Sequence, residues 1–211
     1  MFYDVDENPA CRPLPRNPFK ACVAPRPIGW ISSLGVDGVA NIAPYSFFNA
    51  LASDPPLIMY ASNGHQPHGA KDTVTNIEAT GDFVVNVATW HLRDAMNATS
   101  APAAADVDEF VLAGLTAATS QKVRAPRIAE SPINMECVLV RTVELPCTLP
   151  GSRNVMVIGR VVGLHIADSV LTEGLIDMAK LRPISRLGYL DYAEVGDLFT
   201  LRRPGQKGGQ D

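Results

Sequence analysis

Residues 25–64 read PRPIGWISSLGVDGVANIAPYSFFNALASDPPLIMYASNG, and their pattern decides the fold. From Ile28 the chain alternates, with Ile28, Trp30 and Ser32 set against Gly29, Ile31 and Ser33. That period of two predicts a strand. Asp37-Gly38 is the dipeptide of a tight hairpin turn, so Val39–Ala43 is expected to return antiparallel and to stop at Pro44. An aromatic-serine knot follows, Tyr45-Ser46-Phe47-Phe48-Asn49. Asp54-Pro55-Pro56 then punctuates the chain, and Leu57–Ala61 is a short apolar run of the kind that makes a buried strand.

Beyond a polar loop with His65 and His68, residues 71–86 read KDTVTNIEATGDFVVN. Asp72 is placed to cap a helix over Thr73–Thr80, and Gly81 occupies the usual stop position. Phe83–Val87 is the next expected strand, and Thr89 or Trp90 opens a second helix through Met96. Residues 97–109 are Ala- and Pro-rich without helical period and are read as a surface excursion. Asn134–Glu144 and Asn154–Ile166 flank the Pro150-Gly151 turn as a long antiparallel pair.

Six or more strands with short connections and two short helices predict a mainly β, antiparallel barrel with peripheral short helices. Prolines 9, 13, 15 and 18 make residues 1–18 an extended arm. The barrel domain is assigned to 19–200, and 201–211 to a frayed C-terminal tail.

Composition narrows the function classes. In 211 residues, 22 acidic and 18 basic side chains leave a net charge of −4, which argues against a dedicated nucleic-acid binder. No apolar run approaches the ~20 residues of a membrane helix, and the acidic N-terminus lacks a secretory h-region. With four scattered cysteines and no CxxC pair, the expected compartment is cytoplasmic. There is no G-x-G-x-x-G, no P-loop and no G-x-S-x-G elbow, so a Rossmann turn and an esterase-type nucleophile are excluded. His65-x-x-His68 lacks evident further ligands, and no metal site is assigned. His91 reads as a surface residue and His165 as a hydrogen-bonded barrel histidine, though a site role for His165 stays open.

Two segments can carry chemistry. Lys71-Asp72-Thr73 opens a helix, where free amides, a lysine and a hydroxyl together suit a phosphate. Asp72 would repel that phosphate and is assigned to the cap. Capped helices vastly outnumber phosphate sites, so these three residues by themselves read as a cap with an exposed lysine. The second segment, residues 43–49, offers donors and apolar walls to a flat heterocycle, although core packing of its aromatics explains it as simply. Ser62-Asn63-Gly64 adds small polar donors.

In order, the strings PRPIGWISS, NIAPYSFFNA, DPPLIMYAS, KDTVTNI and TGDFVVN resemble the flavin reductase-like family, and NMECVLVRTVEL, VMVIGRVVGLHI and PISRLGYLDYAEV resemble its distal half. The resemblance covers about residues 20–200 and implies a six-stranded Greek-key split barrel that binds FMN as a homodimer. Carried over by position, Lys71 and Thr73 would hold the FMN phosphate, helped by Ser62 and Asn63. Arg26 would reach it from the same side. Ser46, Phe47, Phe48 and Asn49 would line the isoalloxazine, and Trp30 and Ser32 would lie on the strand passing it. The loop 65–69 departs from the basic versions associated with the family. The implied activity is hydride transfer from NADH or NADPH to FMN, with reduced flavin passed to a partner monooxygenase or kept for a bound acceptor. No catalytic side chain is then required. The alternative is a carrier that binds FMN without turnover.

Overall fold

The computed structural model describes residues 1–64, 72–102, 107–202 and 204. In chain order, helix α1 (Phe19–Cys22) precedes strands β1 (Arg26–Pro27), β2 (Gly29–Leu34), β3 (Ala40–Tyr45), β4 (Phe48–Ser53) and β5 (Pro56–Ser62). Helix α2 (Asp72–Thr80), β6 (Asp82–Val87), α3 (Arg93–Ala98) and α4 (Glu109–Leu112) follow, then the short pair β7 (Ala117–Ala118) and β8 (Arg127–Ile128). The long β9 (Ile133–Leu145) and β10 (Asn154–Ile166) come next. The chain closes with β11 (Leu171–Thr172), β12 (Leu175–Ile176), α5 (Met178–Leu181), β13 (Ile184–Arg186) and β14 (Tyr192–Glu194).

Seven strands make the main sheet, in the order β3-β2-β6-β9-β10-β5-β4, every pairing antiparallel. Its two outermost strands, β3 and β4, are consecutive in sequence. The sheet therefore curls round so that its edges meet at residues 46–47, where the Phe47 carbonyl accepts from the Ala61 amide at 2.7 Å. This is a split barrel, mainly β as expected. The strand beyond the expected six is β4, built from Phe48 and the residues after it. Pro44 does not end β3 but sits inside it, opposite Trp30. Proline is tolerated there because β3 is an edge strand with no outer neighbour to miss its amide.

Two apolar clusters share the wall of the barrel. The interior one joins Ile31, Tyr45, Tyr60, Phe83, Val85, Cys137 and Val157 with Val74 and Ile77 of α2. The exterior one joins Ile28, Trp30 and Ile42 with Met96 of α3, Phe110 of α4, Ile128 and Ile184. β2 is consequently buried on both faces, Trp30 pointing one way and Ile31 the other, each fully inaccessible. A small sheet, β1-β13-β14, brings the C-terminal segment back beside Arg26, with Arg26 opposite Arg186.

The helix expected over Thr73–Thr80 is α2, and it ends as expected at Gly81, whose φ of 79° and bond to the Ile77 carbonyl mark a left-handed stop. The second expected helix is a 3-10 turn, Trp90–Leu92, running on into α3. The excursion at 97–109 contains the start of α4, capped by Asp108. The arm expected at 1–18 includes one 3-10 turn, Pro9–Cys11.

Candidate functional site

Two adjoining depressions open beside β3. The smaller, about 70 Å³, is lined by Asn41, Ala43, Tyr45, Asp72, Thr73 and Glu109 among others. The larger, about 390 Å³, is lined by Lys20, Arg26, Ser46, Asn97, Arg186 and Tyr189 among others. Pro44 and Ser100 belong to both, so the two are continuous.

The smaller depression is organised by a hydrogen-bonded chain of buried groups. The Thr73 hydroxyl donates to Asn41 Oδ1 at 2.6 Å, and Asn41 Nδ2 donates to Glu109 Oε1 at 2.8 Å. The Ile42 amide reaches Glu109 Oε2 at 3.4 Å. Burial pushes the Glu109 carboxyl above the usual carboxylate range. Hydrogen bonds from its own amide, Ile42 and Asn41 pull it back, and the charge of Asp72 adds to the rise. Tyr45 is pushed up to about 12, chiefly by burial, against hydrogen bonding with Thr73 and Ser62. Tyr45 thereby lies between the end of β5 and the first turn of α2. That first turn presents backbone N–H groups without intrahelical acceptors.

The larger depression has a different character. Three cations border it, and among the described residues no carboxylate does. Arg26, only 5% exposed, donates through Nη1 to the carbonyls of Lys20 and Val23 and through Nη2 to that of Leu187 at 2.7 Å. Its Nε has no partner among the described residues. Burial, and then the charge of Arg186, lower the Arg26 pKa.

The residues expected at a ligand separate into groups. Ser62 and Thr73 come together around Tyr45, with the exposed Asn63 next to Ser62. Lys71 lies outside the described residues, as does the His65-x-x-His68 pair. Ser46 lines the larger depression. Phe47 sits under the Arg26 guanidinium, 5.9 Å from ring centroid to Cζ. Phe48 packs against the barrel interior and beside Gly29, where a Cβ would stand 2.7 Å from its Cδ2. Asn49 faces outward on β4, its Oδ1 accepting from the Ala50 amide.

Three of the expected residues lie away from the first turn of α2. Trp30 is fully buried and donates its indole N–H to Thr99 Oγ1 at 2.8 Å. Ser32 is fully buried, donates to the Pro126 carbonyl and accepts from Asn86 Nδ2. Neither residue lines either of the two depressions. Arg26 borders the larger depression rather than the one holding Thr73, and its Nη groups clasp three carbonyls. Asn41, Glu109, Lys20, Arg186 and Tyr189 were not singled out in the sequence. Arg186 and Tyr189 had a signal, the PISRLGYLDYAEV string, whereas Glu109 sits in an Ala-rich stretch with none.

The donors fit a ligand that carries a phosphate and a flat polar ring. Free amides at α2 and small hydroxyls lie at one end, and a cation-bordered recess beside Pro44 and Ser46 lies at the other. A domain model described as flavin reductase like domain matches residues 22–184. A protein of Halalkalibacterium halodurans is 39% identical over 183 residues, covering 86% of this chain and 87% of that one. Nitrilotriacetate monooxygenase component B from Bacillus cereus superposes with a TM-score of 0.83 at 34% identity, covering 95% of this chain and all of that one. The 2-nitrobenzoate 2-nitroreductase of Pseudomonas fluorescens superposes with a TM-score of 0.78 at 28% identity, covering 90% and 92%. By sequence and by fold, the chain belongs to the flavin reductase-like family.

Proposed function

We propose that the protein binds FMN across the two depressions and catalyses hydride transfer to it from a reduced nicotinamide nucleotide. The observation that carries this reading is their continuity at Pro44 and Ser100: an amide-rich helix start leads directly into a ring-sized, cation-bordered recess. The phosphate belongs at the first turn of α2, with Thr73, Ser62, Asn63 and Lys71 as the proposed contacts. Thr73 contributes its backbone N–H, because its hydroxyl proton is committed to Asn41. The isoalloxazine belongs along Pro44 and Ser46. When bound, FMN supplies the redox chemistry. The chain's part is to hold the phosphate, orient the ring and keep water from it.

Family membership and likeness to an oxygenase component support a role in delivering reduced flavin to a separate monooxygenase. The outward-facing edge strand β4, exposed over Asn49–Ser53, supports assembly as a homodimer.

Absorbance of the purified protein before and after addition of NADH and of NADPH tests the reading. Bound flavin, seen near the usual yellow bands, should bleach with at least one nucleotide. Lys71→Ala should weaken FMN binding by about 1.5–3 kcal/mol for the lost charge-assisted contact. Inactivity with both nucleotides in the presence of FMN would sink the enzyme reading. The alternative reading is an FMN carrier without turnover. Tightly held flavin that neither nucleotide bleaches would identify it.

A further inference from the structure

The smaller depression holds a conflict of charge. Glu109 and Asp72 both line it, and among the described residues no cation does. Glu109 is only 6% exposed. Its neighbours in the chain fix its place. The Asp108 carboxylate caps α4 by accepting from the Phe110 amide at 2.8 Å, and the Phe110 ring is anchored in the exterior apolar cluster. A phosphate brought to the first turn of α2 therefore meets two carboxylates. Lys71, the one cation proposed there, offsets only part of that charge. Like charges packed this closely in a partly buried site drive one group to its neutral form.

Donors are scarce in the same place. Three side-chain hydroxyls border the depression with their protons already given away: Thr73 to Asn41 Oδ1 at 2.6 Å, Thr99 to the Met96 carbonyl at 2.8 Å and Ser100 to the Asn97 carbonyl at 2.6 Å. Asn41 Nδ2 donates to Glu109 Oε1 at 2.8 Å. The other carboxyl oxygen, Oε2, meets the Ile42 amide at 3.4 Å, long for a hydrogen bond. A proton on Oε2 gives the depression a new donor and removes one of its two negative charges at the same time. The titratable groups facing Glu109 are Asp72 from α2 and Tyr45 from β3. The charge of Asp72 favours the neutral form of Glu109. Tyr45, pushed up to about 12 by burial, stays neutral and leaves the proton to a carboxyl.

We propose that Glu109 holds the flavin phosphate as a neutral acid: a proton from solvent is taken up on Oε2 as FMN binds and is donated in a hydrogen bond to a phosphate oxygen. The O–H bond is the only bond formed, and no electron moves. The proposal rests on the flavin reading and adds the residue that makes FMN binding depend on pH. FMN affinity then falls as pH rises above the free-protein value of Glu109, by up to about tenfold per pH unit, until the value in the complex is passed. Above about pH 7 free FMN is already dianionic, since a phosphate monoester loses its second proton at about pH 6.

Calorimetric titration with FMN at about pH 8, in buffers of differing ionisation enthalpy, counts the protons exchanged. Wild type should take up about one proton, and Glu109→Gln, which places an N–H where the acid carries its O–H, should take up none. Glu109→Gln should also bind FMN about tenfold more tightly than wild type at that pH, with a flattened pH profile. Glu109→Ala, which supplies no donor, should bind more weakly than Glu109→Gln. A merely structural carboxylate would weaken both variants alike. Asp72→Asn should keep the pH dependence and move it to lower pH. No proton uptake by wild type overturns the proposal without recourse to any variant. Uptake that persists unchanged in Glu109→Gln overturns it too, and a profile flattened by Asp72→Asn but not by Glu109→Gln hands the proton to Asp72. FMN binding without proton exchange sinks this inference alone, whereas no FMN binding at any pH sinks the flavin reading with it.

Discussion

Glu136 shows how much one side chain can organise. It is fully buried on β9, and its carboxylate accepts from the amides of Gln121 and Lys122 at 2.7 and 2.5 Å and lies 2.5 Å from His165 Nε2. Burial by itself pushes its pKa up; the hydrogen bonds from His165, Gln121 and Lys122 outweigh that and hold it below the usual carboxylate range. A carboxyl with a depressed folded-state pKa adds stability above its unfolded value, and that stability is lost as pH falls through the folded value. Glu136→Gln leaves at least one backbone amide without its acceptor and should cost about 1–3 kcal/mol near neutral pH. Urea unfolding of both proteins should show the gap narrowing in acid, below the ordinary carboxylate range. A gap that widens there would refute the assignment. In the sequence Glu136 is one acid inside an apolar run, and nothing near it names partners 14 and 29 residues away. His165 was legible as a hydrogen-bonded barrel histidine because it sits in an alternating strand.

At the scale of elements, turns and stops were readable where local chemistry sets them: Asp37-Gly38 for the β2–β3 turn and Gly81 for the end of α2, whereas Asp72, expected as the cap, is the first residue of the helix. Elements set by packing were not. β4 looks like an aromatic knot and is a strand only because β5 pairs with it, Phe48 opposite Tyr60. Gly159 is a similar case. It lies in β10 at a register shift against β9, and a Cβ there would stand 2.4 Å from Phe83 Cζ in the barrel core. Gly159→Ala should therefore lower the urea midpoint at unchanged m-value, by about 1–3 kcal/mol of overpacking. No loss of stability would mean that the Phe83 ring has room to move.

For the molecule as a whole, the open question is how the β4 edge is covered. Its outer side is unpaired among the described residues, while Leu51 is 48% exposed on it and Val140 46% exposed on β9. Light scattering after size exclusion should give twice the chain mass of 22.6 kDa if the edge pairs with a second copy, and the chain mass itself would reject the dimer.

By itself the sequence determined the β class, the hairpin, the α2 start and the family, because turn dipeptides, caps and ordered motifs act over a few residues. It also pointed to Ser62 and Thr73, which flank the same short loop. Only the tertiary structure decided that Trp30 and Ser32 are both fully buried, since a strand between two layers buries both faces and its alternation carries no mark of that. Only the fold, too, brought Lys20 and Arg186 to one depression: pairing of β1 with β13 joins segments some 160 residues apart, a distance at which local chemistry has no say.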